Sequence, residues 1–375
     1  TDICCGAGFV RSLSAPGDVA ITAATGAIAR TADDLLNVSG HDVALTAGGD
    51  IAYFGSITAS RDFSVTIGGA FDASGIASIG RAWSYTDLSG DLVVQSKSAP
   101  IMNFAAPSGN VVLMNGSTFT GTTMNVSGAG GVVVSGGPVT INADLVTTMP
   151  VSVSSGLLNL SQPTTLTGIA LTNATLGGAG SVTTTGTSFL TNSTINLPFT
   201  NWGVINASGA NNLSGTAFTL MDGSLTLNAG GTLTKTGGTL DWQGGSIAGS
   251  GSLAKAGGAV FAITGSGDRV LNGPSLAIDN YAPTGGSLLV QSGTLSLLDD
   301  ATHAIALTTG AAGTIDFAGG VHDFDDGALL DGPGTFTRSG GSLVLTGTGS
   351  GTTIGAAANV DLDVLAFGGT GKLNN

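Results

Sequence analysis

The densest chemical vocabulary in this chain is the doublet Asp299-Asp300, with His303 three residues on. Two adjacent carboxyls and an imidazole could share the acid and base roles in cutting a polysaccharide, provided a basic clamp held the substrate. The six Arg and four Lys are scattered over 375 residues and suggest no such clamp. An Asp doublet also sits comfortably in a turn, so no catalytic residue is assigned. A second acidic group lies in VHDFDDGALLD, 321–331, where Asp323, Asp325, Asp326 and Asp331 stand with His322. Carboxylate oxygens gathered in a turn could hold calcium, although the spacing is not that of an EF-hand loop. It is not that of the Gly-Gly-x-Gly-x-Asp calcium repeat either. No other cofactor is expected.

Three further features could touch a partner or be mistaken for a motif. Trp83 and Tyr85, in RAWSYTD, are candidate contact residues if that segment protrudes, because exposed aromatics often anchor partners. Cys4 and Cys5 are the only cysteines, too few for a metal site of their own and candidates for a covalent link to a neighbouring segment or chain. GGTGK at 368–372 is not a phosphate loop, since Ala366 replaces the first glycine and Leu373 the Ser or Thr. A helical zinc motif of the His-Glu-x-x-His type is impossible in a chain without Glu.

That absence of Glu is general: all 24 acidic residues are Asp. Glu favours helices, whereas Asp and the 63 glycines favour turns, so the composition speaks against a helical protein. Net charge is −14 with no basic stripe, which excludes the electrostatic footprint of nucleic-acid binding and disfavours anionic membrane surfaces. Residues 145–221 carry no charged side chain or histidine, yet polar residues interrupt them every few positions, so no membrane span is expected. With no basic-then-apolar leader at Thr1, the chain is expected to be a mature piece or an internal fragment.

The elements that must position these residues are short strands. DVAIT begins at Asp18, DVALT at Asp42, DFSVT at Asp62 and DLVVQ at Asp91; NVVLM follows at Asn110, GVVVS at Gly131 and PVSVS at Pro150. Large apolar residues sit two apart in each, as in Val43 and Leu45, which is strand periodicity with one face buried. The long step from Asp62 to Asp91 suggests an insertion carrying RAWSYTD. The C-terminal part keeps the alternation with Gly-Gly and Ser-Gly corners. Longer phrases recur there: GAGSVTTTG (178–186), GSGSLAKAG (249–257) and GPGTFTRSG (332–340), and likewise GTLDWQGG (238–245) and GTIDFAGG (313–320). Aligning the last pair leaves eight extra residues within 321–331, expected to bulge as a loop from one face.

A period of roughly 20 residues with Gly-rich corners predicts an all-β, parallel β-solenoid, each coil burying its apolar face only against its neighbours. The whole chain is expected to form one continuous solenoid, 1–375, of about 19 coils. DVALTAGGDI and its relatives in 1–160 resemble the haemagglutinin-type repeats of filamentous two-partner-secretion adhesins. GGSLVLTGTGSGTTI (340–354), in the Gly-rich region 161–375, resembles autotransporter passenger repeats. These bacterial exoprotein families imply a right-handed parallel β-helix, secreted or displayed on a Gram-negative surface.

The adhesin secretion module's Asn-Pro-x-Gly signature is missing. So are the Gly-His-Gly and Arg-Ile-Lys partners of polygalacturonase-like β-helix hydrolases. The expected function is therefore a non-enzymatic structural or adhesive shaft. The alternatives are a self-assembling extracellular filament or matrix subunit and, further off, a polysaccharide-active enzyme. Neither end looks like a capping helix, so bare coil edges are expected to meet further segments or neighbouring copies. A host surface or glycan is the other expected partner.

Overall fold

The computed structural model describes residues 12–23, 36–52, 54–68, 71–72, 76–360, 367–369 and 373–374. Cys4 and Cys5 lie outside them. The regular elements among the described residues are short strands, joined in parallel ladders. The chain forms two compact units, Thr1–Thr167 with Gly177–Ser181, and Gly168–Leu176 with Val182–Asn375. Each is β-solenoid in architecture. The described residues make about 16 turns of about 20 residues, fewer than the whole length divided by the period.

In the first unit, Val19–Ala23, Val43–Ala47, Asp62–Ile67, Ala82–Asp87 and Ile101–Ala106 pair in that order. Their register places Val19, Val43, Phe63, Trp83 and Met102 in one inward column. Ile21, Leu45, Val65, Tyr85 and Phe104 form the next. All ten are buried. Removing each large apolar side chain from water contributes about 1.5–3 kcal/mol, and only stacking provides the burial. Phe63 and Trp83 meet edge to face at 5.0 Å between ring centroids.

Outward positions hold short polar residues that bond from rung to rung. Asn103 Nδ2 donates to Ser84 Oγ at 3.0 Å, and Asn125 Nδ2 to Asn103 Oδ1 at 2.8 Å. The Asp that opens each phrase has a structural use. The Asp62 backbone N–H donates to Asp42 Oδ1 at 3.1 Å, and that of Asn110 to Asp91 Oδ1 at 2.7 Å. A corner leaves backbone donors unpaired by the ladder, and these side chains satisfy them.

Two sequence expectations are corrected here. The 62-to-91 step hides no insertion: AWSYT pairs directly with DFSVT, Trp83 opposite Phe63 and Tyr85 opposite Val65. DLVVQ belongs to a different ladder, where Leu92–Val94 pairs with Val111–Leu113. The phrases run along two faces of the coil, and an alternating strand after an Asp corner reads alike on both.

The second unit repeats three strands per coil. Its first face includes Thr187–Thr191, Val204–Ser208, Ser224–Leu227, Gly245–Gly249 and Arg269–Asn272. Its second includes Ala210–Leu213, Thr232–Thr236 and Ser252–Ala256. Its third includes Phe199–Asn201, Ala217–Leu220, Thr239–Trp242 and Val260–Ile263.

The phrase GTLDW lies on the third face, between Ala217–Leu220 and Val260–Ile263. GTIDF lies in the later part of Ala306–Phe317, pairing with Thr294 to Leu297 on one side and Thr335–Thr337 on the other. The two are therefore not equivalent positions. The supposed eight-residue insertion is ordinary solenoid: Val321–Phe324 pairs with Ala301–His303, and Leu329–Asp331 with Ala306 to Thr308.

Two cations lie fully inside this unit. Lys235 Nζ donates to the carbonyls of Gly215 at 2.6 Å, Leu213 at 3.3 Å and Gly237. Arg269 donates from Nε to Trp242 O at 3.1 Å, and from Nη2 to Gly265 O at 2.8 Å and Thr264 O. Burial lowers the pKa of both. They fill corners whose carbonyls turn inward, and these hydrogen bonds offset the cost of burying the charge.

Candidate functional site

The acidic doublet and the histidine are not brought together. Asp299 and Asp300 sit exposed on a corner, and Asp300 Oδ1 accepts the Val321 N–H at 2.8 Å. His303 points inward and is fully buried, stacked on Phe324 with ring centroids 4.6 Å apart. Its Nε2 lies 3.1 Å from Nδ1 of His322, also buried. Burial pushes the His303 imidazole down to about 3, with His322 adding to the effect, and burial lowers His322 as well. Among the described residues, His303 Nδ1 and His322 Nε2 have no hydrogen-bond partner. This is a neutral imidazole pair enclosed by aromatic rings, out of reach of a substrate.

The acidic segment is likewise dispersed. Strand alternation turns His322 and Phe324 inward and leaves Asp323 on the outside. Asp326 caps the next coil: its carboxylate accepts the N–H groups of Gly349 at 2.9 Å and Gly351 at 2.7 Å. Asp325 accepts the Asp326 N–H at 2.7 Å and Asp331 the Gly332 N–H at 2.8 Å. Among the described residues, no three His, Cys, Asp or Glu side chains are grouped to hold a metal ion. The carboxylates are used one by one as corner caps.

Trp83 and Tyr85 are core residues, 3% and 4% exposed, and this corrects their assignment as surface contacts. Lys97 Nζ covers the Trp83 ring at 4.6 Å. Burial pushes the Tyr85 phenol up. An aromatic in phase with Phe63 has no route to the surface without breaking the ladder.

A different tryptophan is displayed. Trp202 is 46% exposed, at the corner between Phe199–Asn201 and Val204–Ser208. Its orientation is built from inside. Asn201 is fully buried, and its Nδ2 donates to Gly203 O at 2.8 Å, while Thr184 Oγ1 donates to Asn201 Oδ1 at 2.9 Å. The Trp202 N–H donates to Thr184 O at 2.8 Å. With both flanking residues held, the indole has only the outside to occupy.

Beside it a cleft of about 410 Å³ runs across four coils. The strand positions Val204, Ser224, Ser246 and Val270 are consecutive partners along it. Two residues before each stands the corner column Trp202, Asp222, Gly244 and Asp268. The next column is Gly203, Gly223 and Gly245, followed by the inward-turned Arg269. A Cβ on Gly203 would lie 2.0 Å from Gly186 O, and one on Gly245 1.8 Å from Gly223 O, so the backbones stack too closely for side chains. The result is an open strip with the indole at one end. Asp222 and Asp268 are exposed, and Asp268 Oδ1 accepts the Ser287 hydroxyl at 2.9 Å. No lysine or arginine side chain lines the cleft; Arg269 is turned inward.

The chain matches no protein-family model, no curated protein and no solved structure. The strip can therefore be read only through its own chemistry: an aromatic plate, hydroxyls and carboxylates in line with the stacking axis.

Proposed function

We propose that the chain is a non-enzymatic structural and adhesive segment of an extracellular bacterial surface protein, of the filamentous-haemagglutinin or autotransporter-passenger kind. The observation that carries this reading is how the side chains are spent. Inward columns are apolar, outward Ser, Thr and Asn bond to the next coil, and corner Asp residues cap backbone N–H groups. Such a ladder supplies stiffness and a repetitive outer surface. Its partners are further segments of the same exoprotein or neighbouring copies, joined at coil edges.

The test is antibody labelling of intact, unpermeabilised source cells, with electron microscopy of the purified chain. Surface labelling and separate particles support the segment reading. Labelling only after permeabilisation overturns it. Long fibres of constant width replace it with the filament-subunit reading.

A further inference from the structure

We propose that the Trp202 strip is a binding site for an uncharged linear polysaccharide. The proposal rests on the adhesive reading above and names its ligand.

A pyranose ring has an apolar C–H face and a rim of hydroxyls. The face gains by covering an exposed indole, and the hydroxyls need acceptors to replace lost water. Trp202 offers the plate. Phe189 extends the same outward face one coil earlier and is 53% exposed; its strand places Thr187 opposite Val204. Asp222 and Asp268 provide acceptors two rungs apart, about 10 Å at the usual strand spacing. Asp222 accepts no hydrogen bond from any described side chain or backbone group. A carboxylate binds a hydroxyl more strongly than a neutral acceptor does.

Three features select the ligand class. The partners Val204, Ser224, Ser246 and Val270 align the cleft with the stacking axis, so it suits an extended chain spanning about 14 Å. The glycines between the corner and strand columns bear no side chains, so backbone floors the middle of the strip and an extended chain can lie along it. The carboxylates, with no cation in the lining and a net charge of −14, repel uronic-acid, sulfated and phosphorylated polymers.

The test is affinity electrophoresis of the full chain through gels containing mixed-linkage β-glucan, mannan or polygalacturonate, with tryptophan fluorescence as second readout. Trp83 and Trp242 are buried, so a ligand-induced emission shift reports Trp202. At least one uncharged polymer should retard the chain and shift the emission, and polygalacturonate should do neither. Trp202→Ala should weaken retardation at least tenfold, Asp222→Asn several-fold, and Trp202→Phe less than Trp202→Ala. An unchanged melting midpoint certifies each variant as folded.

Retardation unaffected by Trp202→Ala, equal retardation by polygalacturonate, or none by either uncharged polymer overturns the proposal. Release of reducing ends from a bound glucan would instead overturn the non-enzymatic reading and leave the ligand class standing.

Discussion

Two cations of each unit stand on opposite sides of the wall, while Lys255 of the second unit pairs outside with Asp279. In the first, Arg61 and Arg81 stand outside on a corner. Arg61 Nε donates to Asp42 Oδ1 at 3.0 Å, and Arg81 Nε to Asp62 Oδ1 at 2.7 Å. In the second, Lys235 and Arg269 stand inside and donate to backbone carbonyls. The outer pairs neutralise an acidic corner that already caps its neighbours, and water could replace them. The inner cations are fully buried and donate to inward backbone carbonyls, where their loss removes several hydrogen bonds at once. The same residue types thus decorate one corner and complete another.

The sharpest way to break this contrast is to remove an inner cation. Arg269→Ala should cost about 4 kcal/mol or more, from the buried hydrogen bonds lost and the cavity left behind. Urea unfolding followed by the buried Trp242, whose own carbonyl Arg269 binds, measures it. Lys235→Met keeps volume but not donors and should still destabilise by about 2 kcal/mol. A neutral or stabilising result would mean that desolvation of the cation outweighs its bonds.

Acid should separate the units next. His303 and His322 have folded pKa values below the free value of 6.5, so their neutral forms are favoured by folding. Their contribution is fully present above pH 6.5 and lost as pH falls towards about 3. Asp42 and Asp62 are also lowered, through the hydrogen bonds from Arg61 and Arg81. Their contribution is lost only below the free value of 3.8. Between pH 6 and 4 the second unit should therefore weaken, by a few kcal/mol at most, while the first holds. Limited proteolysis at pH 6.5, 5 and 4 should cut near 301–324 first, and His303→Phe should reduce that sensitivity. Cleavage near 62–87 first would reverse the assignment.

The smallest effect belongs to the outer corner. Arg61→Ala should move the melting midpoint within about 2 °C, and salt should erase most of that shift. A large loss would make the exterior ladder as structural as the interior one.

The inward columns were legible in the sequence, because neighbouring side chains in a strand point to opposite faces whatever the strand pairs with. Val43 and Leu45, Leu225 and Leu227, and Ile315 and Phe317 are buried as the alternation requires. Trp202 was legible in principle, since it stands out of phase with inward Phe199 and Asn201. It went unnoticed because a lone aromatic beside a glycine looks like any other corner. The acidic cluster of 321–331 misled because density along the chain is not proximity in space. A strand turns alternate residues apart, and each corner carboxylate bends back to its own backbone donor.

The amino-acid sequence by itself determined strands of period two, corners of Gly, Asp and Asn, and a coil near 20 residues long. Those follow from local sterics and from what can be buried. Only the tertiary structure decided which of three faces each phrase occupies and which residues meet across the rungs. The distance between rung partners varies with corner length, from 17 residues between Thr187 and Val204 to 25 between Ser12 and Asn37. A repeat counted along the chain therefore drifts from one face to another. What brings Trp202 into one column with Asp222 and Asp268 is the closure of each coil on the last.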